Sequence, residues 1–115
     1  MLKFKSRWMD EALDAKLVVD NYVDGGGVYI GLWVNEDGYF EPWCDVTVNL
    51  PYSRLPLDDG EAYVDVNNCP ELERFITENG LGESLHIIGS SGWCSYPLYR
   101  FNMDEVRKHL MGESA

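Results

Sequence analysis

Two strict alternations of apolar and polar residues, joined by four turn-forming residues, constrain this chain more than any other feature. In Val28 to Val34 the residues Val28, Ile30, Leu32 and Val34 share one face, and Tyr29, Gly31 and Trp33 share the other. That is the two-residue period of a strand. Phe40 to Leu50 repeats it, with Phe40, Pro42, Cys44, Val46, Val48 and Leu50 on one side and Glu41, Trp43, Asp45, Thr47 and Asn49 on the other. Between them, Asn35-Glu36-Asp37-Gly38 has the composition of a hairpin turn. A chain with this centre builds an antiparallel sheet.

The flanking segments extend the pattern. Lys16 to Val23 alternates with Leu17 and Val19 inward and runs into Asp24-Gly25-Gly26-Gly27, which predicts a hairpin into Val28. Leu2 to Lys5 alternates apolar with basic residues and adds a short first strand. Pro51 to Gly60 has the proline and Asp-Asp-Gly content of a surface loop, and Glu61 to Val66 follows as a strand with Ala62, Val64 and Val66 inward. The period then changes. Asn68-Cys69-Pro70-Glu71 has a capping-box arrangement, Leu72, Phe75, Ile76 and Asn79 fall on one helical side, and Gly80 is placed to end the helix. Leu85 to Ile88 and Trp93 to Phe101 read as two more strands around a Gly89-Ser90-Ser91-Gly92 turn. Met103 to Met111 reads as a last helix, capped by Asn102, with Val106 and Leu110 inward. The expected fold is α+β: one domain over residues 1–115, mainly antiparallel, in the order β-β-β-β-β-α-β-β-α, with two helices packed on the sheet.

Charge narrows the function classes. Twenty acidic residues against nine basic ones leave the 115-residue chain at −11 with a pI near 4.4. Direct binding to a nucleic-acid backbone is therefore disfavoured. Lys3, Lys5 and Arg7 open the chain, whereas residues 8–99 hold 17 Asp or Glu against Lys16, Arg54 and Arg74. The acidic field belongs to the body of the fold. The start MLKFKSRWMDEALDA lacks the apolar core of a signal peptide, and the longest uncharged stretch, Ser84 to Tyr99, carries His86, four serines and Pro97. A cytoplasmic protein without a membrane span is expected, its Cys44, Cys69 and Cys94 reduced.

No catalytic or metal signature stands out. The cysteines lie 25 residues apart with no C-x-x-C pair, so no metal site and no cofactor is expected. The sharpest enzymatic reading is a small hydrolase using Cys94 and His86 across one hairpin; its bland counterpart is a buried, inert thiol. Gly25-Gly26-Gly27 precedes a strand rather than a helix, which makes it a turn and not a phosphate cradle.

Aromatic residues are in surplus, with Tyr29, Trp33, Tyr39, Trp43 and Tyr63 opposite the aliphatic stripe. Either the helices cover that face, or part of it is open and, rimmed by Glu41, Asp45, Glu61 and Asp65, receives a partner. An acidic rim around aromatic anchors suits a cationic protein surface.

The strings Thr47-Val48-Asn49-Leu50-Pro51, Asp65-Val66-Asn67-Asn68-Cys69-Pro70, Glu78-Asn79-Gly80-Leu81-Gly82 and Ser91-Gly92-Trp93-Cys94-Ser95-Tyr96-Pro97-Leu98-Tyr99, taken in order, resemble a family of short bacterial proteins known as a domain of unknown function, family 4313. The similarity covers about residues 15–101, leaving out the basic start before Trp8 and the final helix from Met103. The resemblance implies an accessory protein of plasmids, phages or integrative elements, and it supplies no activity.

These features lead to a non-enzymatic acidic protein-binding module. By analogy of size, charge and setting, it is read as an anti-defence inhibitor, anti-CRISPR or anti-restriction, that imitates nucleic acid. Its carboxylates Asp58, Asp59, Glu61, Asp65, Glu71, Glu73 and Glu78, with Trp33 and Trp43 as anchors, would occupy a basic nucleic-acid channel of a host nuclease or guided complex. The competing readings are an accessory domain whose charge serves solubility and the Cys94–His86 hydrolase. An open aromatic face or an uncovered edge strand would favour a homodimer.

Overall fold

The computed structural model describes residues 2–21, 27–50, 57–58 and 60–112. Its strands are β1 (Lys3–Phe4), β2 (Leu13–Asn21), β3 (Val28–Glu36), β4 (Tyr39–Asp45), β5 (Thr47–Val48), β6 (Glu61–Val64), β7 (Gly82–Ser91) and β8 (Cys94–Phe101), and its helices are α1 (Leu72–Glu78) and α2 (Met103–Arg107). The class is α+β with antiparallel strand pairing, as expected. The strands form two sheets rather than one, in the orders β1-β2-β3-β4 and β5-β6-β8-β7.

The division comes from the segment expected as one strand, Phe40 to Leu50. Leu32 pairs with Cys44 but Trp33 pairs with Pro42, so Trp43 is the extra residue of a β-bulge. The bulge reverses the alternation on its N-terminal side. Trp43 turns to the core, its ring 6.2 Å from that of Phe4, while Phe40 and Pro42, expected inward, pair with the outward Asn35 and Trp33. At Val46 the chain changes sheets: its N–H donates to the Ile30 carbonyl at 2.8 Å and its own carbonyl accepts from the Asp65 N–H at 2.9 Å. Thr47 secures the crossing by accepting the Ile30 N–H on its hydroxyl at 3.0 Å.

Both sheets close on one core. Leu17, Ile30, Leu32 and Val34 from the first meet Ala62, Val64, Tyr99 and Phe101 from the second, with Leu72, Phe75 and Ile76 of α1 and Val106 of α2. A second cluster, Leu50, Tyr63 and Leu98, lies on the other face of the second sheet. Every residue of β6 is consequently buried.

Local signals were mostly honoured, and where they failed a tertiary contact explains why. The end of α1 is a Schellman motif, with Gly80 at φ +65°, its N–H on the Thr77 carbonyl and the Leu81 N–H on that of Ile76. Its start differs: Asn68 does not cap the helix but donates its amide to Asp65 Oδ2 at 2.7 Å, and α1 begins only at Leu72. The β7–β8 turn is Gly92-Trp93, three residues beyond the expected start of the turn, since Gly89 is held inside β7 against the Tyr63 ring. Asn102 caps α2 as expected, its side chain accepting the Glu105 N–H at 3.2 Å. The helix stops at Arg107 because residues 109–111 leave it to flank β2: the Leu17 N–H donates to the His109 carbonyl at 2.8 Å, and the Met111 N–H to that of Leu17 at 2.7 Å. The expected turn at 24–27, apart from Gly27, and most of the 51–60 loop fall outside the described residues. Among the described residues no helix is long and apolar enough to cross a membrane.

Candidate interaction surface

The two sides of the first sheet differ in kind. Alternation sends Ala15 and Leu17 of β2 and Val28, Ile30, Leu32 and Val34 of β3 into the core, where both helices also insert their apolar residues. The opposite side carries Lys16, Val18 and Asp20 of β2, Tyr29, Gly31 and Trp33 of β3, and Phe40, Pro42 and Asp45 of β4. Tyr29, Trp33 and Phe40 are half-buried there, packed on sheet neighbours.

Contacts within this face fix its rings. Gly31 leaves room for Tyr29 to lie across it, since a Cβ at that position would be 2.7 Å from the tyrosine oxygen. Tyr29 then donates its hydroxyl to Asp45 Oδ1 at 2.7 Å. Lys16 places its ammonium 4.8 Å from the centre of the Phe40 ring. At the end of the face, Asp37 and Gly38, both at positive φ, close the β3–β4 hairpin, with Asn35 Oδ1 accepting the Gly38 N–H at 3.1 Å. This turn exposes Glu36, Asp37 and Tyr39. The result is an apolar, aromatic centre with Asp20 and Asp45 exposed beside it and Glu36 and Asp37 exposed at the hairpin end, whereas Glu41, register partner of the inward Val34, lies on the other side of the sheet. Of the aromatics assigned to this face from sequence, Tyr29 and Trp33 are on it and Tyr39 is at its end. Trp43 is turned inward by the bulge, and Tyr63 is 1% exposed in the second cluster. Phe40 and Pro42 were missed for the same reason, because a one-residue bulge leaves no compositional mark.

The acidic series expected along loop, strand and helix is not one surface. Glu61 and Asp65 are each only 7% exposed. Glu61 accepts the Asp58 N–H at 2.9 Å and the Arg100 guanidinium at 3.2 Å. Asp65 accepts from Asn68 on Oδ2, while its buried Oδ1 has no hydrogen-bond partner among the described residues. Both point inward because β6 lies in the interior of its sheet. Glu71 is half-buried and accepts from the Cys69 thiol at 3.3 Å. Glu73 accepts the Tyr99 hydroxyl at 2.7 Å, tying α1 to β8; burial first, and then this bond, raise the Tyr99 pKa. Glu78 pairs with Arg74 at 2.6 Å, Asp58 is exposed, and Asp59 lies outside the described residues.

Nor does the hairpin bring Cys94 and His86 together. Cys94 pairs with Ser91, and its thiol lies beside Tyr96 two residues along β8. His86 is exposed at φ +59°, in the irregular stretch between Ser84 and Ile88. The three register steps between the Ser91 and Ile88 pairs alone separate them by about 10 Å. The closer thiol pair is Cys44 with Cys69: interaction with the Cys69 sulfur, burial and the neighbouring carboxylates push the Cys44 thiol far above its ordinary range. Among the described residues no group of His, Cys, Asp or Glu is arranged to hold a metal ion.

No curated protein and no solved structure matches the chain. A family model does, over residues 16–113, so α2 lies inside the shared region, contrary to the expectation from sequence, and the basic start lies outside it. By that match the chain belongs to the family described as Domain of unknown function (DUF4313).

Proposed function

We propose that the protein is a non-enzymatic binding module that docks a cationic protein surface on the outer face of its first sheet. The observation that carries this reading is the pairing of fixed rings with a carboxylate rim: Tyr29, Trp33 and Phe40 at the centre, and Asp20, Asp45, Glu36 and Asp37 around them. Rings held in place lose little conformational freedom on binding, so their burial contributes to affinity. The carboxylates attract a basic partner and set its orientation. The function we assign to such a face is anti-defence inhibition on a mobile element, with carboxylates imitating phosphates in a basic nucleic-acid channel.

The test is a pull-down of the tagged protein from a bacterial lysate at low and at high salt, with the Trp33→Ala/Asp45→Asn variant in parallel. Capture of a basic nuclease or guided complex by the unmodified protein, lost at high salt and in the variant, is the expected result. Equal capture by both forms would refer binding to another surface, and no specific capture would favour a charge that serves solubility.

A further inference from the structure

At the β1 edge of the first sheet, a groove of about 850 Å³ runs between residues 3–7 and α1. Phe4 and Phe75 form its apolar floor, their rings edge to face at 5.3 Å. Four of the chain's nine cations, Lys3, Lys5, Arg7 and Arg74, line it, against the carboxylates Glu71 and Glu78. In so acidic a chain this concentrates positive charge in one place. Lys3 is paired with Asp14 and Arg74 with Glu78, whereas Lys5 and Arg7 have no acidic partner among the described residues. Arg7 lies over the Trp8 ring at 5.0 Å, and that ring is itself exposed.

The backbone adds a second element of recognition. β1 is the edge strand of its sheet, with β2 on one side only. The Leu2 carbonyl accepts the Ala15 N–H at 2.8 Å, and Phe4 pairs with Leu13. In an antiparallel ladder the residue between such pairs turns its N–H and C=O groups the other way, so those of Lys3 point away from β2. Along the segment Leu2, Phe4 and Ser6 are buried while Lys3, Lys5 and Arg7 are exposed. Lys3 and Lys5 are thus roughly 7 Å apart, the spacing of alternate side chains on an extended partner strand, and Arg7 follows them at the turn of residues 7–8.

We propose that this groove takes an extended acidic peptide segment of a partner protein, added along β1, with carboxylates on alternate residues opposite Lys3, Lys5 and Arg7 and its intervening apolar side chains over Phe4 and Phe75. The net charge of the chain does not oppose this. Screening at physiological salt acts over about 8 Å, and the molecule measures 42 × 30 × 22 Å, so the ligand senses mainly the local cations. A peptide satisfies the free strand edge as well as the charges, which a nucleic-acid backbone cannot do.

The probe is a fluorescent peptide of alternating glutamate and valine, followed by anisotropy at physiological salt. A second peptide of the same composition has its glutamates in one block, and an oligothymidine of equal charge serves as competitor. Saturable binding of the alternating peptide is expected, weakened about tenfold or more by Lys5→Glu/Arg7→Glu and in the same direction by Lys5→Gln/Arg7→Gln, both at exposed positions. The blocked peptide should bind about tenfold more weakly and the oligothymidine should compete poorly. Absence of saturable binding, indifference to both double substitutions, equal affinity for the two peptides, or effective competition by oligothymidine would each overturn the proposal. Lys5 and Arg7 lie outside β2, β3 and β4, whose residues make up the aromatic face, so the outcome is independent of the reading given above for that face.

Discussion

Arg100 clasps Glu61 across the β6–β8 ladder. The two are register partners, the guanidinium reaches Glu61 Oε2 at 3.2 Å, and the other carboxylate oxygen accepts the Asp58 N–H. A carboxylate in the interior of a sheet is tolerated because both its oxygens are engaged. Arg100→Met removes one partner and leaves the charge buried. The arginine is itself about half exposed, so the cost should fall near the lower end for such pairs, about 1–3 kcal/mol by urea denaturation. Arg100→Met/Glu61→Met should recover most of that loss. Additive destabilisation in the double variant would show that the two side chains are not coupled.

The cysteines should react in a fixed order. Cys69 is buried and bonded to Glu71, and Cys44 is held protonated by its interaction with Cys69 and by burial. Thiolate is the nucleophile, so Cys44 should resist alkylation in the folded protein, Cys69 is shielded by burial, and Cys94, half-buried on β8, reacts first. Mass spectrometry of iodoacetamide-treated protein reads this order directly. Cys69→Ala should speed Cys44 alkylation severalfold, because the largest influence holding that thiol protonated is removed. An unchanged Cys44 rate would mean that burial alone governs it.

Acid should loosen the C-terminal segment. Glu105 is held below the usual carboxylate range by the hydrogen bond and charge of Lys108, with His109 adding to the effect and partial burial opposing it. A carboxyl whose pKa is lower in the folded than in the unfolded chain stabilises the fold fully above its unfolded value, and that contribution drains away as pH falls through the folded value. Glu105→Gln should therefore melt below the unmodified protein at neutral pH, with the gap closing as the pH falls out of the ordinary carboxylate range and through the lower folded value. A gap that persists in acid would assign the effect to packing.

What the sequence disclosed and what it hid divide along the range of the contacts. The β3 alternation, the Asn35–Gly38 hairpin, the Asn102 cap and the Gly80 helix stop are each determined by neighbours within a turn, and the structure reproduces them. The bulge at Trp43, the sheet change at Val46 and the interior position of β6 depend on pairing with distant strands, which no local pattern records. The acidic series was misplaced for that reason: Glu61 and Asp65 belong to a strand and its end that look half-exposed until β8 and β5 flank it. The outer aromatic face was half legible, with Tyr29 and Trp33 readable from β3 and Phe40 concealed behind the bulge.

The glycine at position 89 gives a direct test of how tightly the second cluster is packed. β7 crosses the buried Tyr63 ring there, and a Cβ would come within 2.5 Å of Tyr63 Cε1 and 2.9 Å of a Leu50 methyl. Tyr63 is 1% exposed on an interior strand, so neither the ring nor the backbone can withdraw cheaply. Gly89→Ala should cost about 1–3 kcal/mol in chemical denaturation, the range for overpacking a filled core. Gly38→Ala provides the contrast: nothing lies within 4 Å of its Cβ position, and the penalty comes only from φ +91°, about 1 kcal/mol. Adding Tyr63→Leu to Gly89→Ala should cost less than the sum of the two single substitutions, because the smaller side chain vacates the space that the methyl needs. Strict additivity would place the strain in the β7 backbone instead.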